Sequence, residues 1–112
     1  PECEAWRQRL VTYLRANRDY ACSRLRKMGI SCTSPEASYL MWMDATDVLP
    51  NGTHACRFFL EEASVGLTDG VDFGGSPGTV RLNFGCKRST LELGLQRMEE
   101  ALARAQRADT GV

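Results

Sequence analysis

The chain has 112 residues, 43% of them hydrophobic, which suits one domain with a modest core that needs no disulfide staples. Fourteen basic residues balance fourteen acidic ones, so no net charge favours nucleic acid or an anionic membrane as a partner. No apolar run approaches membrane-spanning length and no signal-peptide pattern opens the chain. Five widely and irregularly spaced cysteines contain no Cys-x-x-Cys pair, which argues against a zinc site and a disulfide scaffold and for reduced thiols in a cytoplasmic protein. The first residue is Pro1 rather than Met, which points to a processed product or a fragment.

Trp6, Leu10, Leu14, Ala21, Leu25 and Met28 recur at helical spacing, with Arg7, Arg15, Arg18 and Arg26 on the other sides. This predicts one long helix over 1–28, stopped by a left-handed Gly29. Ile30 to Cys32 reads as a short strand and Thr33-Ser34-Pro35 as a turn. From Ser38 to Asp44 both alternating sets are apolar, as in a central strand covered on both faces. After the loop Leu49-Pro50-Asn51-Gly52, a helix capped by Thr53 or Asn51 buries Ala55, Phe58, Phe59 and Ala63. Val65 to Leu67 forms a brief strand, and Gly70 to Gly78 a glycine-rich connection.

In the strand that follows, Val80, Leu82 and Phe84 alternate with Arg81 and Asn83. A period of two sends the apolar three into the core and leaves Arg81 and Asn83 together on the opposite face. An arginine fixed on a strand makes a good carboxylate clamp, because its planar fork offers two parallel hydrogen bonds. Asn83 is placed to steady that guanidinium. Ser89-Thr90-Leu91-Glu92 then reads as a capping box opening a helix with the stripe Leu91, Leu95, Met98, Leu102 and Ala105, frayed after Arg107. The order of elements gives an α+β fold with helices against a small sheet. His54 is the only histidine, so no His–Cys or Ser–His–Asp relay can be built around a second one, and its place in the first turn of a helix gives it an incidental or capping role.

Three blocks carry a resemblance. Pro35-Glu36-Ala37-Ser38-Tyr39-Leu40-Met41-Trp42-Met43-Asp44 is the first. Val65-Gly66-Leu67-Thr68 leading to Gly70-Val71-Asp72-Phe73-Gly74 is the second, and Val80-Arg81-Leu82-Asn83-Phe84-Gly85-Cys86-Lys87-Arg88-Ser89-Thr90-Leu91-Glu92 the third. In order and spacing they resemble the C-terminal part of fold type I pyridoxal-phosphate (PLP) enzymes of the class I/II aminotransferase family, nearest to its cystathionine β-lyase-like C–S lyases. Lys87 stands where those enzymes carry proline.

The resemblance implies that residues 1–112 form the small C-terminal domain of a larger enzyme. It would be entered by the long helix over 1–28 and partnered by the large PLP-binding domain of the same chain. It implies a homodimeric, PLP-dependent parent that cleaves a small amino-acid substrate at its Cβ–S bond. Arg81 would grip the substrate carboxylate, while Tyr39 and Phe73, with Asn83, would line the pocket. An aminotransferase is the alternative within the family, and a free-standing α+β binding or dimerisation module the alternative outside it. PLP chemistry needs a lysine to hold the cofactor as a Schiff base. The two lysines present, Lys27 and Lys87, lack that context, so the chain alone is expected to bind no PLP and turn over no substrate.

Overall fold

In a computed structural model that describes residues 2–33, 40–50, 52–70 and 75–110, three helices cover one face of a four-stranded antiparallel sheet. The elements are α1 (Glu2–Lys27), β1 (Ser31–Thr33), β2 (Leu40–Asp44), a short 3-10 turn (Thr46–Val48), α2 (Ala55–Ala63), β3 (Thr68–Asp69), β4 (Thr79–Asn83) and α3 (Arg88–Thr110). The strand order is β1-β2-β4-β3, so β2 and β4 are central. This is the α+β arrangement expected from the pattern of helices and strands.

The pleat of the central strands sets the core. Met41 and Met43 on β2 lie opposite Leu82 and Val80 on β4, and all four are buried. They join Ala21 and Leu25 from α1, Phe59 from α2, and Leu91, Leu95, Met98 and Leu102 from α3 in one apolar cluster. The alternate residues Leu40, Trp42, Thr79 and Arg81 are only half-buried. β2 is therefore central as its composition implies, but within this chain its second face is partly open rather than covered.

α1 ends as the sequence implies. Gly29 has φ +88°, its N–H donates to the Arg26 carbonyl at 3.0 Å, and the Ile30 N–H donates to the Leu25 carbonyl at 3.0 Å. These two bonds form a Schellman stop, and Ile30 and Leu25 both enter the core beneath it. The other end departs from expectation. Trp6 is 62% exposed and Leu10 39% exposed, so neither packs on the sheet. At 1.5 Å per residue a helix of this length runs about 39 Å, well beyond the span of five-residue strands, and its first turns overhang.

Smaller differences have local causes. α2 starts after His54 rather than after a Thr53 cap, and the Pro77 carbonyl accepts the Ala55 N–H at 2.9 Å; Asn51 lies outside the described residues. Pairing on the sheet edge begins at Thr68 rather than Val65, since the Val65 N–H is tied to the Phe59 carbonyl at 3.0 Å and holds that segment against α2. α3 begins at Arg88, which puts Ser89 inside the first turn instead of at the cap. Its alanine-rich end continues as helix to Thr110, past the expected fraying point at Arg107.

The junction of β4 and α3 is held from α1 by Asn17, which is fully buried. Its amide nitrogen donates to the Phe84 and Cys86 carbonyls, each at 3.0 Å, and its oxygen accepts from Arg88 Nε at 3.0 Å. Tyr13 Oη adds a 2.6 Å bond to the Cys86 carbonyl, and the Arg88 guanidinium lies 4.4 Å from the centre of the Tyr20 ring. Arg88 is thereby drawn into the helix, which is why α3 opens before Ser89.

Two stability outcomes are expected. Asn17→Ala strips a half-buried arginine and two carbonyls of a partner and should cost about 2–4 kcal/mol, read as a lower urea midpoint. Gly29→Ala forces a side chain into left-handed backbone, where its Cβ would also lie 2.8 Å from Val48 Cγ1. It should cost roughly 1–2 kcal/mol, and an unchanged midpoint would refute the stop described above.

Candidate functional site

β4 presents Arg81 at the middle of the sheet. Its backbone pairs with Trp42 on one side and Thr68 on the other, and Trp42 pairs in turn with Thr33. The flanking Val80 and Leu82 are buried in the core, so the strand cannot slip by one residue without burying the guanidinium. The Arg81 guanidinium carbon lies 5.8 Å from the centre of the Trp42 ring, a cation–π distance that limits where the fork can point. A half-buried, aromatic-flanked arginine on a central strand has lost much of its rotamer freedom before any ligand arrives. That favours tight, oriented binding of a carboxylate.

The other sequence-derived site residues divide. Asn83 shares the strand face with Arg81, but its side-chain oxygen accepts the Gly85 N–H at 2.8 Å and shapes the turn out of β4. Tyr39 and Phe73 lie outside the described residues. Lys27 and Lys87 are both exposed, one ending α1 and the other preceding α3. Lys27 borders only a widely open cavity and Lys87 lies on the surface, so among the described residues neither lysine is shielded from water as a Schiff base would need.

His54 has a partner the sequence does not reveal: its Nε2 lies 2.7 Å from Asp69 Oδ2, tying the start of α2 to β3. Among the described residues, no cluster of three or more His, Cys, Asp or Glu could hold a metal, and no helix is long and apolar enough to cross a membrane.

Cavity size does not coincide with the arginine face. The depression beside Trp42, lined also by Thr33, Asp44 and Thr79, measures only about 210 Å³. A larger cavity of about 830 Å³ lies between α1 and β1, lined by Arg18, Cys22, Arg26, Lys27 and Cys32 among others. It contains neither Arg81 nor Trp42. Volume therefore does not favour the Arg81 face; what distinguishes it is the central strand position and the Trp42 ring beside the guanidinium.

The family model for aminotransferase class I and II matches residues 2–98. The chain belongs to that family. Among its relatives, the cystathionine β-lyase of Corynebacterium glutamicum is 38% identical over 90% of this chain and 27% of its own length. The aspartate aminotransferase of Pinus pinaster is 31% identical over 83% of this chain and 21% of its own. The PLP-bound C–S lyase of Staphylococcus hominis, solved as the external aldimine with the inhibitor L-cycloserine, superposes with a TM-score of 0.78 at 28% identity. That match covers 90% of this chain and 28% of the lyase. This member of the aminotransferase class I and II family thus spans about a quarter of the length of its relatives, and the matched quarter is the sheet and helices that carry Arg81.

In the larger cavity, burial pushes the Cys32 thiol up from its ordinary 9.0 to about 11, helped by the neighbouring Cys22 and opposed by Arg26. A thiol held neutral only in the folded chain stabilises it fully below pH 9.0, and that contribution is lost as pH rises to about 11. Urea midpoints should therefore fall across this window, and fall less steeply in Cys32→Ala. Parallel slopes for the two proteins would show that the fold does not hold this thiol neutral.

Proposed function

We propose that the chain is the substrate-carboxylate-binding domain of a PLP-dependent C–S lyase. In this reading the parent enzyme cleaves the Cβ–S bond of a cystathionine-like amino acid to pyruvate, ammonia and a thiol. The observation that carries the proposal is the placement of Arg81: rigid, central, flanked by Trp42 and set on the half-open sheet face. The lyase relatives covering nine-tenths of the chain supply the reaction class.

Arg81 would bind and orient the substrate α-carboxylate, with Tyr39 and Phe73 bordering the pocket. The large domain, outside these residues, would hold PLP, which supplies the electron sink when bound. The exposed apolar residues Trp6, Leu10 and Tyr13 of α1 and the half-buried Trp42 form surface suited to packing against that domain. With neither lysine placed to hold the cofactor, the chain by itself is inactive in this proposal. An aminotransferase is the second reading, favoured by the aspartate aminotransferase match, since a carboxylate clamp serves both reactions.

In the full-length parent, Arg81→Ala should lower kcat/KM by about 2–4 kcal/mol of transition-state stabilisation, and Arg81→Lys should recover little because an ammonium has no fork. A wild-type kcat/KM in the alanine variant would remove Arg81 from the site. Product analysis separates the two readings: pyruvate and free thiol from a thioether amino acid mark the lyase, whereas a keto acid formed only with an acceptor marks the aminotransferase.

A further inference from the structure

Cys22 lies on the last turns of α1 and Cys32 at the centre of the edge strand β1, ten residues on across the Gly29 stop. The β1 pleat turns Ser31 and Thr33 outward and aims Cys32 at α1, in register with the buried Met43. The two sulfurs are 2.8 Å apart, closer than most thiol–thiol contacts, and both residues are half-buried rather than sealed. They line the open cavity of about 830 Å³ together with Arg18, Arg26 and Lys27, so a small oxidant can reach them beside three cations. No step of the proposed lyase reaction uses either thiol.

We propose that Cys22 and Cys32 form a redox-active dithiol, converted by hydrogen peroxide to a reversible disulfide that staples the end of α1 to the sheet edge. The Cys22 thiolate attacks the peroxide, the O–O bond breaks, and Cys22 becomes a sulfenic acid as hydroxide leaves and takes up the proton shed by the Cys22 thiol, giving one water. The Cys32 sulfur then attacks the Cys22 sulfur. The S–S bond forms, and the sulfenic oxygen leaves as a second water with the Cys32 proton. Two thiols are oxidised and one peroxide is reduced to two waters. A small thiol reductant restores the pair by exchange and is itself oxidised to its disulfide.

The order of attack follows from the environment. Burial and the contact with Cys22 push Cys32 up to about 11, so it keeps its proton and acts second, as the resolving sulfur. Arg26 beside Cys32 opposes that shift and can steady the thiolate formed in exchange.

The test uses the full polypeptide that contains these residues, reduced, exposed to equimolar hydrogen peroxide, alkylated and digested with trypsin without reductant. The peptide over 19–24, which holds Cys22, should appear joined to the peptide over 28–57, with a mass two hydrogens below the sum. The link should persist in Cys56→Ser, vanish in Cys32→Ser and be reversed by dithiothreitol. Cys22 and Cys32 that remain alkylatable while the exposed Cys3 oxidises would overturn the proposal. So would a link from either residue to any other cysteine. Because Cys32 and Cys56 share the 28–57 peptide, fragment-ion sequencing of the wild-type linked pair assigns the sulfur, so a variant that fails to fold leaves the result intact.

Discussion

The amide of Asn17 is the interaction on which the arrangement depends. It is a polar group sealed inside an apolar cluster, and it satisfies two strand-end carbonyls and one arginine at once. Buried polar groups are tolerated only when fully bonded, so this side chain fixes relative position rather than merely adding affinity. It sets where β4 ends, where α3 begins and how far α1 sits from both. The register of Arg81 is inherited from that arrangement, because β4 is anchored at the Asn17 end and held laterally by Trp42 and Thr68.

Much of the fold was legible because it rests on local patterns. The alternation around Arg81, the Gly29 stop and the stripe from Leu91 to Leu102 each report a period or a backbone requirement that a single segment displays. What stayed hidden depends on distant partners. Asn17 looks like any polar helix residue until Phe84, Cys86 and Arg88 arrive beneath it, and a helical spacing with Tyr13 and Tyr20 was its only trace. The stripe at Trp6 and Leu10 obeys the helical period perfectly, yet periodicity does not say where the sheet ends. The cap at Ser89 was misplaced for the same reason: an arginine pulled in from outside outweighed a local hydrogen-bonding motif.

The face that carries Arg81 was legible in part. Pattern alone placed Arg81 away from the core, whereas its ring partner Trp42 depends on the β2–β4 register and could be read only from the paired strands. In the proposed reading the face is shallow because the rest of the site lies on another body. This chain represents about a quarter of its relatives, and a site built between two bodies leaves only one wall on each. Open apolar surface on α1 and a half-covered β2 suit the same division, since both are features that water tolerates poorly over large areas.

The overhang of α1 makes it a lever. Eleven residues separate Trp6 from Asn17, about 16 Å of helix, so pivoting by about 10° at the Asn17 joint would sweep the Trp6 end through roughly 3 Å. The fulcrum is hard, being clamped by Tyr13, Leu14, Asn17 and the Schellman stop, while the turns before Tyr13 have little of their own chain to rest on. A body gripping that arm would therefore transmit its motion into the sheet carrying Arg81 with little loss. Slack would have to come from elsewhere in the molecule.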